Sequence, residues 1–101
     1  MLKYLVTLVL LIVSTTVLAQ APPKRYNYPY KGKLYVDYLS TKELLKVCYG
    51  TTACAYSTDD GSYCIVYLPD PALGELSRSE IVKRWIHERA HCNGWPWYHP
   101  K

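Results

Sequence analysis

The sequence predicts a small α+β domain stapled by disulfides. A short antiparallel sheet, in essence one hairpin, should pack on a long C-terminal helix, with a second short helix beside it. Three observations predict this. Residues 52–57 and 63–68 are rich in β-branched and aromatic side chains and flank the turn cluster Thr58-Asp59-Asp60-Gly61-Ser62, the local signature of a hairpin. Two Ser-x-x-Glu boxes, Ser40 with Glu43 and Ser77 with Glu80, each open a stretch with apolar residues at helical spacing. Four cysteines, an even count, lie in a chain short enough to need staples.

With 101 residues the chain holds one domain at most. Its hydrophobic half is inflated by an apolar start and by eleven tyrosines; there is no Phe and one Met. High aromatic content with a net charge of only +4 excludes a wholly disordered chain. Absence of any repeat or heptad excludes collagen and coiled coil. A single apolar run excludes a polytopic membrane protein.

That run belongs to residues 1–21, which read as a secretory leader. Lys3 gives a positive start, residues 5–13 are apolar except Thr7, and small residues follow at Val17-Leu18-Ala19 and Ala19-Gln20-Ala21. A cut after Ala19 and a cut after Ala21 fit equally well. The run is short for a span of about 20 residues, so no stable membrane span is expected after cleavage. No Cys marks the junction for a lipid anchor. The expected location is secreted or periplasmic, and all four cysteines survive cleavage. An oxidising compartment then favours two disulfides. Their pairing stays open: Cys54 with Cys64, or the hairpin pinned to Cys48 and Cys92.

Residues 22–33 read as a linker. Pro22, Pro23 and Pro29 oppose regular structure, and Lys24, Arg25, Lys31 and Lys33 keep it solvated. Tyr26, Tyr28 and Tyr30 among these cations resemble a nucleic-acid stacking pattern. In so short an exported segment the better reading is a basic tether that packs a few tyrosines on the domain, and no nucleic-acid partner is expected. Residues 34–39 have strand composition. Ser40 caps a helix through Leu44, Leu45 and Val47 that stops near Gly50. Pro69 and Pro71 close the second hairpin strand. Ser77 opens the last helix, over about residues 78–92, with Asn93-Gly94 and Pro96 as stops. On it Ile81, Val82, Trp85, Ile86 and Ala90 form a broad face expected to meet the sheet, with His87 and His91 on the opposite side.

Those histidines carry the chemistry. His87-Glu88-Arg89-Ala90-His91 reads H-E-x-x-H. Residues four apart on a helix share a face, so two imidazoles converge on one cation. Zinc (Zn2+) accepts imidazole nitrogen in tetrahedral geometry. Glu88, one step round the helix, is placed to take the proton of a zinc-bound water as it attacks an amide carbonyl, then to pass it to the leaving amine. A catalytic zinc needs a third protein ligand and an open position. Gly94 permits a sharp reversal, and Trp95-Pro96-Trp97-Tyr98 forms a stiff return that brings His99 back as that ligand. Asp37, Asp70 and Glu80 are fallback carboxylates; Cys92 is expected in a disulfide.

The segment from His87 to His99 resembles the zincin metallopeptidases. It looks like the subset with HExxHxxG and a further ligand, as in metzincins, and is similar to small bacterial HExxHxxGWP proteins whose segment ends in histidine. The resemblance implies that His87, His91 and His99 bind zinc, that Glu88 is the general base, and that residues 34–101 form a minimal zincin-like domain. Residues 64–69 would then line the cleft. Two departures stand out. The metzincin third histidine would fall at Trp97, and no Met follows for a Met-turn.

On this reading a peptide substrate adds to residues 63–68 as an edge strand. Tyr98, with Tyr67 or Tyr63 behind it, would donate to the developing oxyanion. Arg84 and Arg89 read as solvated flanks. The expected function is an exported zinc-dependent metallohydrolase, a peptidase acting on a peptide or protein, with a cell-envelope substrate in view. The rival is a non-catalytic exported binding module stabilised by disulfides and a structural zinc. A third, weaker reading is a toxin or inhibitor scaffold held by disulfides alone.

Overall fold

Seven residues, Tyr63–Pro69, form the middle strand (β3) of a three-stranded mixed sheet. The computed structural model describes residues 20–101, so the leader assigned to 1–21 lies, apart from Gln20 and Ala21, outside the described residues. Strand β2 (Cys54–Ser57) pairs antiparallel with β3, Cys54 opposite Tyr67 and Ser57 opposite Cys64. This is the expected hairpin. Gly61 takes φ +73° in its turn, and the Thr58 amide donates to the Tyr63 carbonyl at 3.0 Å. Strand β1 (Lys33–Leu39) joins the other edge of β3 in parallel, from Lys33 opposite Tyr63 to Leu39 opposite Pro69. The sheet is therefore wider than a hairpin, and β3 is not an edge. The expectation that residues 63–68 offer a free edge is corrected: β1 and β2 are the edges.

Strand alternation splits the sheet into two faces. Cys64, Val66 and Leu68 point to one and are fully or almost fully buried. Ile65 and Tyr67 point to the other, where Tyr56 donates its hydroxyl to the Val47 carbonyl at 2.8 Å. The short helix α1 (Thr41–Val47) lies on this second face. Ser40 caps it as expected, its hydroxyl accepting from the Glu43 amide. The helix ends with Tyr49 in the left-handed region at φ +53° and the Gly50 amide reaching back to the Leu45 carbonyl at 2.8 Å, the pattern of a Schellman stop.

The long helix α2 (Arg78–Cys92) covers the first face. Ser77 caps it through the Glu80 amide. At its far end Gly94 takes φ +99°, and the Trp95 amide returns to the Ala90 carbonyl at 3.0 Å. The α2 side that meets the sheet carries Ile81, Trp85, Glu88 and Cys92, spaced four, three and four apart. This corrects the expected face. Val82 is 48% exposed beside Val36 and Tyr38 of β1, and Ala90 is buried on the outer side. His87 and His91 flank the sheet-facing stripe rather than oppose it.

Each helix has its own disulfide. Cys48–Cys54 ties the end of α1 to β2, and Cys64–Cys92 ties β3 to the last residue of α2. The open choice of pairings thus resolves to the one that pins the hairpin to both helices. Two disulfides are at home in an oxidising environment. Among the described residues no helix is long and apolar enough to cross a membrane.

The expected linker, 22–33, gives its last residue to β1; residues 22–32 have no regular structure beyond a 3-10 turn at Lys24–Tyr26, but they are held. Asn93 donates to the carbonyls of Tyr26 and Tyr28 at 2.9 and 2.6 Å, and Arg89 to Asn27 Oδ1 at 2.8 Å. Tyr30 donates its hydroxyl to the Gly61 carbonyl at 2.6 Å. The segment is a strap held to α2 through Arg89 and Asn93.

Candidate metal centre

His87 and His91 lie one turn apart on α2, as their spacing requires. The reversal through Gly94 carries the chain back, and His99 closes the group. The turn is fixed by the His99 amide donating to the Pro96 carbonyl at 2.9 Å, with His99 itself at φ +58°. The three Nε2 atoms form a triangle with edges of 3.0, 3.1 and 3.2 Å. These three histidines could hold a metal ion. The expectation that His99 joins the other two is met.

The outer partners decide which nitrogen is free. His87 Nδ1 lies 2.6 Å from the Gln20 carbonyl, and His91 Nδ1 lies 2.7 Å from the Trp95 carbonyl. A carbonyl only accepts, so both Nδ1 atoms carry the proton. Each Nε2 of the neutral rings is then a bare lone pair, and the two lone pairs face each other 3.2 Å apart. Burial, and then the neighbouring imidazoles, push both rings below the ordinary histidine pKa of 6.5, against the carbonyl bonds, which raise it. Near pH 7 they are neutral, which is the ligating form. A cation at the middle of the triangle satisfies all three lone pairs at once, whereas an Nε2–H on His99 donates within the triangle at 3.0–3.1 Å and satisfies them only in part.

The sequence marks Trp95 only as part of a stiff return. It is 2% exposed and forms the wall of the centre. Its ring stacks on His91 at 5.0 Å and meets His87 and His99 edge-on at 5.0 and 4.8 Å. Its indole N–H donates to the Pro100 carbonyl at 2.8 Å, which ties down the chain just after His99. Gln20 is the second residue missed. A main-chain carbonyl leaves no residue-type signature, so no signal in the sequence could have found it.

The remaining candidates separate. Glu88 is 8% exposed on the sheet side of α2, and desolvation raises its carboxyl to about 7 against a smaller lowering by Arg84. It is not part of the ligand triangle. Tyr98 is 64% exposed, its ring edge-on to Trp97 at 5.7 Å. Tyr67 lies on the α1 side of the sheet, and Tyr63 packs edge-on against Tyr35 at 6.3 Å; the idea that either backs the site is withdrawn. None of the fallback carboxylates joins the triangle. Asp37 is on exposed β1, Asp70 caps the Pro71–Leu73 turn, and Glu80 pairs with Arg84 at 3.1 Å. Arg84 also donates to Thr52 and Arg89 to Asn27, so neither is a free solvated flank. Cys92 is in its disulfide, as expected.

Compared with known proteins, the chain matches no family model, no curated protein and no solved structure.

Proposed function

We propose that the chain is an exported zinc-dependent hydrolase, a peptidase in which Glu88 is the general base and His87, His91 and His99 hold the metal. The observation that carries this reading is the Nε2 triangle. Tetrahedral zinc with Zn–N of about 2.0–2.1 Å spaces its ligands about 3.3 Å apart, close to the 3.0–3.2 Å edges. Among the described residues the donor set holds three side chains, whereas a structural zinc is ordinarily closed by four; this favours catalysis over the binding-module rival.

Zinc bound there would polarise a carbonyl and lower the pKa of water toward 7. The chain's own residues supply the rest. Glu88, with a pKa raised to about 7, is poised both to take a proton from attacking water and to release it to a departing amine. Trp95 holds the imidazoles in place and keeps water from their far side. The peptide adds to the free edge of β2. Arg84, on the α2 flank that also carries His87 and His91, donates to Thr52 just before β2 at 3.3 Å, so that edge runs beside the centre. Tyr98, exposed next to His99, is the chain's donor to the oxyanion. Two disulfides fit export to the periplasm or beyond.

Glu88→Gln tests the assignment. Peptide hydrolysis should fall at least about 100-fold, the scale of a lost general base, with zinc content unchanged; an unchanged rate contradicts the role. The same variant has a second signature in metal-stripped protein. The folded pKa of Glu88 is raised from 4.5 to about 7, so its contribution is fully present below pH 4.5 and is lost as pH rises through 7. Gln does not titrate. Between pH 5 and 8 the variant should therefore gain about 2–3 kcal/mol on the wild type, at about 1.4 kcal/mol per pKa unit, in denaturant melts.

A further inference from the structure

We propose that the main-chain carbonyl of Gln20 orients the metal ligand His87, so that the leader cut compatible with an intact centre falls between Ala19 and Gln20. The inference rests on the zinc reading above. It concerns a residue that comes to His87 from 67 positions away in the chain. A ligating histidine almost always donates its other ring N–H to a fixed acceptor, which sets tautomer and ring angle. For His91 that acceptor is Trp95, supplied by the turn directly after α2. For His87 it is Gln20, at 2.6 Å.

The strap places Gln20 independently of the histidine. Asn93 holds the carbonyls of Tyr26 and Tyr28, Arg89 holds Asn27, and Arg25 donates to the Lys101 carbonyl at 3.0 Å. Pro22 and Pro23 stiffen the short reach from there to Gln20, Pro23 lying extended at φ −59° and ψ 151°. Gln20 to Pro23 then border a cavity of about 270 Å³ whose other wall includes Trp95. The two cut registers that the sequence leaves equal therefore differ in consequence. A cut after Ala19 keeps the acceptor. A cut after Ala21 leaves Pro22 first, removes the carbonyl, and strands a buried ring N–H, while every strap anchor from Arg25 onward survives.

The test uses the full precursor expressed for export. Ala21→Lys denies the small residue the second register needs, and Val17→Lys denies the one the first needs, so the two variants direct processing to Gln20 and to Pro22. The wild-type chain should show, by intact mass, an N-terminus at Gln20. Zinc should bind the chain beginning at Pro22 about 10–100-fold more weakly than the chain beginning at Gln20, the usual cost of losing an outer partner. Both metal-free chains should still unfold cooperatively, the one beginning at Pro22 at the lower temperature, because a stranded buried N–H costs about 1–3 kcal/mol. The slowly exchanging His87 Nδ1 proton should be seen by NMR only in the longer chain. Equal zinc affinities, or a wild-type chain that emerges uncut or beginning at Pro22, overturn the proposal and leave the metal centre standing. Failure of the Gln20 chain itself to take up zinc refutes the centre and this proposal together.

Discussion

His99→Ala is expected to weaken zinc binding by more than about 100-fold, because loss of an outer partner alone costs about 10–100-fold and this change removes a ligand. The two histidines left are one helical turn apart and close a poor site by themselves. His99 also shows where the chain spends conformational energy. A non-glycine residue at φ +58° costs on the order of 1 kcal/mol, and the surroundings enforce it: the Pro96 carbonyl below, the Trp95 ring alongside, and Pro100 tied to Trp95 beyond. Trp97→Ala is the matched control. Trp97 occupies the position where metzincin spacing would put the third ligand, yet it is 82% exposed and outside the triangle. Its loss should leave affinity unchanged. Competition with a chelator of known affinity measures both; a His99→Ala protein that holds zinc as the wild type does contradicts the assignment.

Replacing Cys64 and Cys92 together by alanine should cost about 3.5 kcal/mol. The figure follows from releasing the loop closed by a 28-residue separation. A domain this small has roughly 4–12 kcal/mol in hand, so the melting temperature should drop on the order of 20 °C. The same change in Cys48 and Cys54, separated by only 6 residues, should cost less, about 2.2 kcal/mol on the same relation. Position adds to the difference. Cys64 and Cys92 belong to the main core with Val66 and Leu68, and their bond fixes the end of α2 next to His91. Their removal should therefore lower zinc affinity too, whereas loss of the Cys48–Cys54 bond on the far face should not. Thermal melts and zinc titrations on the two double variants separate these effects; equal losses would contradict the layered arrangement.

Local signals made much of this molecule legible. The caps at Ser40 and Ser77, the stop at Gly94 and the turn at Gly61 are each set by residues within one helical turn, so their types reveal them. The histidine cluster was legible because a metal site demands particular side chains, and only three histidines exist to supply them. The parallel pairing of β1 with β3 was not, since a parallel pair is joined by a crossover and has no turn signature. The sheet-facing side of α2 was misjudged for a related reason. Hydrophobicity favoured Val82, while the helix instead turns Glu88 inward beside Trp85 and Cys92. A carboxyl buried at the cost of desolvation is invisible to an apolar-face count. The tether with tyrosines packed on the domain was legible, and Tyr30 does pack on the core; its anchors were not, because most are main-chain carbonyls, of Tyr26 and Tyr28 for Asn93 and of Gln20 for His87.

X-ray absorption at the zinc edge, on protein expressed from the whole sequence, purified without added metal and assayed for metal content, bears most directly on the centre. The expected spectrum shows one zinc per chain, three imidazole nitrogens at about 2.0–2.1 Å, and a light donor not supplied by the protein. Protein that carries no metal, or zinc enclosed by sulfur or by a fourth side chain, would contradict a three-histidine centre with a corner open to substrate.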